Sequence, residues 1–161
     1  MRCAYKNKFV GDTMANDKVV KLKERNQTNH LIEELLQERK QVWSLYCEVA
    51  GLGDAKPKKS KAQLVEDFCQ LSIDYISLGH FGVYQRILNG SERRKAIIKA
   101  AERIYPDLSK ATEAVLDFND KYQTPTAEMI SNELSTDLST LGEQLANRIE
   151  LEDQLLGEML A

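Results

Sequence analysis

Residues 64–88 read Leu64-Val65-Glu66-Asp67-Phe68-Cys69-Gln70-Leu71-Ser72-Ile73-Asp74-Tyr75-Ile76-Ser77-Leu78-Gly79-His80-Phe81-Gly82-Val83-Tyr84-Gln85-Arg86-Ile87-Leu88. Leu64, Phe68, Leu71 and Tyr75 recur at steps of four, three and four, which marks one face of an amphipathic helix. Val65, Ile73, Ile76, Val83 and Ile87 widen that face, so most of the helix belongs inside a core. Asp74, Ser77, His80 and Arg86 sit within the same apolar run. A desolvated charge without a partner is costly, so the stretch must line a polar cavity or face a partner. Gly79 weakens the helix by roughly 1 kcal/mol relative to Ala. It predicts a kink or break that turns Phe81 and Tyr84 in a new direction.

Outward from this centre the chain is helical in character. Its 161 residues fit one domain. It has only 8 Gly and 3 Pro, with Leu, Glu, Ala, Lys and Gln abundant, which predicts an all-α fold. A net charge of −3 makes no electrostatic case for direct nucleic-acid binding. The three cysteines, Cys3, Cys47 and Cys69, form no metal-ligand spacing, which predicts a reducing, cytoplasmic setting without structural zinc. No apolar run reaches membrane-spanning length, and the first residues lack the apolar core of a signal peptide.

Taken in order, residues 1–27 are polar and weakly periodic and are expected to form a disordered or loosely docked arm. The bundle domain is expected over 28–161. Thr28 or Asn29 is expected to cap a first helix with Leu31, Leu35, Val42, Leu45 and Val49 inward, closed by Gly51. A lysine-rich loop, Lys56 to Lys61, precedes the central stretch. Ser91 is expected to cap the next helix, whose early Arg93, Arg94 and Lys95 oppose the helix dipole and call for an acidic neighbour or a functional basic spot. Pro106 is expected to end that helix, with another over 107–122. Thr126 to Ala161 reads as one long helix whose stripe runs Ile130, Leu134, Leu138, Leu141, Leu145, Arg148, Glu152 and Leu155. The result is an up-and-down bundle of about four to five long helices.

Arg148 and Glu152 repeat the anomaly of the central stretch, charges on a core-facing stripe. The pattern predicts one shared polar cavity in which Asp74 and His80 meet Arg148, Glu152 and Asp153. Asp74 and His80 are six apart, on different faces of a straight helix, and no nucleophile motif accompanies them. His30 and His80 form no metal spacing, and neither a phosphate loop nor a dinucleotide fingerprint occurs. His80 fits a structural role better than a catalytic or metal-binding one. Phe81 and Tyr84 fit core packing and interface anchoring equally well. Neither catalytic residues, a metal site nor a cofactor is expected, so the chain reads as a binding or regulatory protein rather than an enzyme.

The run from Asp74 to Phe81, followed by Tyr84, Arg86 and Ile87, resembles the core motif of the Rsd/AlgQ family of bacterial anti-sigma regulators. The likeness extends through Asp67-Phe68-Cys69-Gln70. It returns at Leu141-Gly142-Glu143, Leu145-Ala146, Arg148 and Leu151-Glu152-Asp153, and more weakly at Glu38-Arg39, Leu45, Tyr46, Gly51 and Ile104-Tyr105-Pro106. The chain departs from the family in its longer N-terminus, in lacking a Trp before Glu38-Arg39, and over Lys121 to Ser131. The resemblance implies a helical bundle that binds the C-terminal, −35-reading region of the primary sigma factor and blocks its use by RNA polymerase. It implies Asp74, Ser77, His80, Phe81 and Tyr84 as the partner-facing set, with Arg148 and Glu152 behind them. Two alternatives stay open. One is another regulatory partner, such as a phosphocarrier protein or a stringent-response enzyme. The other is a small-ligand or enzymatic site in the polar cavity.

Overall fold

The structure, a computed structural model, describes residues 6–54 and 56–161, with side chains from Asn16 onward; Cys3 lies outside the described residues. All of its regular structure is helical: α1 (Lys6–Ala50), α2 (Lys61–Ser77), a π-helical turn (Leu78–Tyr84), α3 (Gln85–Leu88), α4 (Lys95–Tyr122), α5 (Ala127–Asn132) and α6 (Leu134–Leu160). α1 packs on α2 and α6, and α4 packs on α6 and α2, so the four long helices close a ring around one core. No described helix is long and apolar enough to cross a membrane.

Helix ends follow local chemistry. Gly51 takes φ +71°, and the amides of Gly51 and Leu52 return to the carbonyls of Glu48 and Cys47, closing α1 as the glycine predicts. Ser60 opens α2 with a capping box: its hydroxyl accepts from the Gln63 amide at 3.3 Å, and the Gln63 side chain accepts from the Ser60 amide at 3.2 Å. Lys61 then donates to the carbonyl of Val49, complementing the negative end of α1.

Four boundaries differ from expectation. α1 is already helical at Lys6, the first described residue, rather than starting at Thr28 or Asn29, and residues 16–26 are exposed. The helix first meets the bundle at Thr28, which accepts from Arg86, and its apolar stripe begins at Leu31-Ile32. Ser91 does not cap α4; the Glu92 carboxylate accepts from the amides of Arg93 and Arg94 at 3.0 and 2.8 Å and bonds the Arg94 guanidinium. Glu92 is thus an acidic neighbour for the Arg94 guanidinium. Pro106 lies inside α4 instead of ending it. Glu102, four residues before it, and Tyr105 to Asp107 are all exposed, so the carbonyl that loses its amide partner can be hydrated. The last helix is broken at Glu133, where φ falls to −119° and the carboxylate pairs with Lys121 at 2.6 Å.

The α1 stripe that enters the core is Ile32, Leu35, Val42, Tyr46 and Val49. Tyr46 lies flat on Trp43, centroids 5.2 Å apart, and donates to the Leu138 carbonyl at 2.8 Å. Trp43 is itself exposed and covers this ring. Only a glycine lets α6 approach here: a Cβ on Gly142 would lie 2.1 Å from the Tyr46 hydroxyl oxygen. Gly142→Ala must therefore expel the Tyr46 ring, at a cost of about 1–3 kcal/mol for an overpacked core. Urea unfolding should show that loss, with an altered emission spectrum from Trp43, the single tryptophan. An unchanged midpoint and spectrum would contradict this packing.

Candidate functional site

The central stretch divides into an inner and an outer surface. α2 runs from Leu64 inward through Phe68 and Tyr75, all buried. At Ser77 the backbone widens into the π-helical turn, and the Gln85 amide bonds back five residues to the His80 carbonyl. Gly79 and Tyr84, also five apart, both point inward, and a Cβ on Gly79 would lie 3.1 Å from the Tyr84 ring. The kink expected at Gly79 is thus a widened turn that keeps the helix continuous into α3.

The inner surface meets Arg148 and Glu152, which are 1% and 0% exposed. Arg148 Nε donates to Glu152 Oε1 at 3.0 Å, and Nη1 donates to the Thr112 hydroxyl of α4. The Tyr75 hydroxyl donates to the other Glu152 oxygen, and Arg39 of α1 stands 3.7 Å from that same oxygen. The Arg148 guanidinium carbon lies 5.3 Å from the Tyr75 ring centre and 5.9 Å from that of Tyr84. Burial works against the Arg148 charge, but Glu152, Tyr84 and Tyr75 outweigh it and hold its pKa above the ordinary value. Burial, followed by the Glu152 charge, pushes the Tyr75 and Tyr84 phenols well above theirs.

This arrangement corrects the shared polar cavity. Asp74 and His80 are exposed and take no part in it. Asp74 accepts from Gln70 at 3.1 Å on the surface, because the step from Asp74 to Tyr75 turns the carboxylate away as it turns the phenol in. Asp153 lies at the rim, half exposed, where it binds Arg39 at 2.7 Å. Arg148 and Glu152 satisfy each other and are closed off by Tyr75, Thr112 and Arg39. Arg86, the other charge of the stretch, donates to the Thr28 hydroxyl at 3.0 Å.

The outer surface carries Asp74, half-buried Ser77, His80 and Phe81. Phe81 is 65% exposed, the most exposed aromatic among the described residues, and His80 packs edge-on against it at 4.9 Å. Tyr84 does not join this surface. Only 4% exposed, it packs against Gly79 and Arg148, and its hydroxyl has no hydrogen-bond partner among the described residues. On α1, one buried oxygen of Glu38 has no partner among the described residues, and its pKa is raised by burial and by the charges of Asp74 and Glu34. Among the described residues no cluster of three potential metal ligands occurs. Cys69 is buried and its thiol is pushed up to about 12 by burial and by Glu66, which makes it inert.

Residues 14–160 match the family model described as "Regulator of RNA polymerase sigma(70) subunit, Rsd/AlgQ". The chain belongs to the Rsd/AlgQ family. Among its relatives is the Regulator of sigma D of Yersinia pseudotuberculosis serotype O:1b (strain IP 31758), 36% identical over 138 residues, covering 80% of this chain and 79% of the relative. The protein of that name from Yersinia enterocolitica serotype O:8 is 35% identical over 136 residues, covering 80% of each chain. That from Shigella dysenteriae serotype 1 is 34% identical over 133 residues, covering 80% of this chain and 83% of the relative. The family match takes in both the outer surface and the buried Arg148–Glu152 pair.

Arg39, Tyr75 and Thr112 escaped the sequence reading of the polar cluster. Arg39 had a legible signal, since it falls on the stripe between Leu35 and Val42. Thr112 had none, because a threonine beside a buried leucine is ordinary.

The raised phenols have a pH consequence. A tyrosine whose pKa is higher in the folded chain contributes stability below the unfolded value of 10.0, lost as pH rises through the folded value. Following absorbance near 295 nm with helicity during alkaline titration, Tyr75 and Tyr84 should ionise only together with unfolding. Ionisation of all six tyrosines while the helices persist would contradict their burial.

Proposed function

We propose that this chain is an anti-sigma regulator that binds the C-terminal, −35-reading region of the primary sigma factor and keeps it from RNA polymerase. Membership of the Rsd/AlgQ family, regulators of the RNA polymerase sigma(70) subunit, carries this reading. The named relatives are regulators of sigma D. The action is stoichiometric binding, with no covalent step and no cofactor, in the cytoplasm where polymerase works.

Asp74, Ser77, His80 and Phe81 are the proposed contact set. Phe81 supplies the exposed aromatic that anchors an apolar groove. Asp74, with Glu34 and Glu38 nearby, supplies negative potential suited to a DNA-reading module, whose surface is basic. Tyr84, buried against Gly79 and Arg148, is left out of the contact set. Residues 28–161 form the proposed binding unit, and the first 27 residues lie outside it.

Titration calorimetry against the isolated C-terminal sigma domain tests the assignment. Phe81→Ala and Asp74→Ala, both on exposed side chains, should leave the fold intact. Each should weaken binding about tenfold or more, a loss of about 1.4 kcal/mol. Tight binding untouched by either would move the interface elsewhere on the bundle. No binding by the parent would reject the sigma partner.

A further inference from the structure

We infer that Arg148 and Glu152 are positioning residues for the partner-facing turn: the buried pair fixes the π-helical segment that presents His80 and Phe81. This rests on the contact role proposed above for Phe81.

The guanidinium meets this helix at three points, just before the turn, near its start and at its end. Tyr75, three residues before the turn, lies over it and bonds its partner Glu152. Gly79, inside the turn, comes so close that a Cβ would lie 3.2 Å from Arg148 Nη2 and 3.4 Å from Leu35 Cδ1. Tyr84, the last residue of the turn, lies over the same guanidinium. An α-helix stacks residues four apart, which would set Val83 beneath Gly79. The observed stacking is five apart, Gly79 to Tyr84, with the guanidinium filling the space beneath.

A π-helical turn is rarer than α-helix and arises where tertiary contacts favour it. Here the turn packs on α1, where Leu35 lies against Gly79 and Leu31 against Gly82, and its charged neighbour is Arg148, which is held on the other side by Glu152, Thr112 and, through Glu152, Arg39. A buried ion pair contributes little net stability compared with apolar residues of the same volume; its best-attested use is to fix a register. The register fixed here decides which side of the helix bears Phe81. His80 and Phe81 form the outer side of the same seven residues, so the pair acts on the surface without reaching it.

The test uses the full chain and two variants. The double variant Arg148→Met/Glu152→Gln removes both charges and keeps most of the volume. Gly79→Ala perturbs the contact from the opposite side and serves if the double variant fails to fold. Amide hydrogen exchange is measured across the chain, alongside affinity for the C-terminal sigma domain. Either folded variant should exchange at least tenfold faster over Leu78 to Tyr84 than the parent, a larger factor than in α4 or α6, and should lose at least tenfold in affinity. Exchange that is unaltered in the turn, or that rises equally in every helix, would overturn the positioning role and leave the pair merely structural. If the parent fails to bind sigma, the partner reading falls, and the exchange pattern alone decides whether the pair holds the turn. If the turn loosens while affinity stays constant, the link from turn to surface is rejected.

Discussion

A charged pair sealed inside a helical bundle is the constraint on which the rest of the structure depends. Arg148 and Glu152 lie four residues apart on α6, both essentially without solvent contact. Each ion would be prohibitive to bury alone. Their mutual bond removes most of that cost only because every neighbouring helix contributes: Arg39 from α1, Tyr75 from α2 and Thr112 from α4. The four helices are thereby tied at one level, where apolar packing by itself would tolerate sliding. The aromatic level around Tyr46, Phe68 and Phe118 is held differently, by ring contact and by the close approach at Gly142.

The same pair accounts for the shape of the central stretch. A guanidinium is flat and wide, and Tyr75 and Tyr84 lie over it from two points of one helix. Those points are nine residues apart, too far around for an uninterrupted α-helical face. Widening the backbone between them brings both rings inward and leaves His80 and Phe81 outside. An inner charge and an outer aromatic are thus two consequences of a single change in helical pitch.

Much of this was legible in the sequence. Steps of three and four give the core faces of α2, α4 and α6, and Gly51 gives the end of α1. Arg148 and Glu152 announce their burial by continuing a leucine stripe, and the motif from Asp74 to Phe81 leads to the family. The partners of the pair were harder to see. Opposite charges on neighbouring stripes invite pairing Asp74 with Arg148, yet a helix turns about 100° per residue, and one step separates inward Tyr75 from outward Asp74. Tyr84 was ambiguous because its direction depends on the π-helical register, which no pattern of period 3.6 reveals. Pro106 and Ser91 misled for a local reason: breaking and capping signals state what a residue favours, whereas solvent exposure and the Glu92 carboxylate decide what it does.

The most direct measurement of the central claim is a double-mutant cycle on Arg148 and Glu152 by urea unfolding. Arg148→Met leaves Glu152 buried with only the more distant Arg39, and Glu152→Gln leaves Arg148 without its counter-charge. Each single change should cost about 3–5 kcal/mol, while the double variant should recover much of that loss. Single losses that simply add, or that stay within about 0.5 kcal/mol of the parent, would contradict a fold organised around the pair.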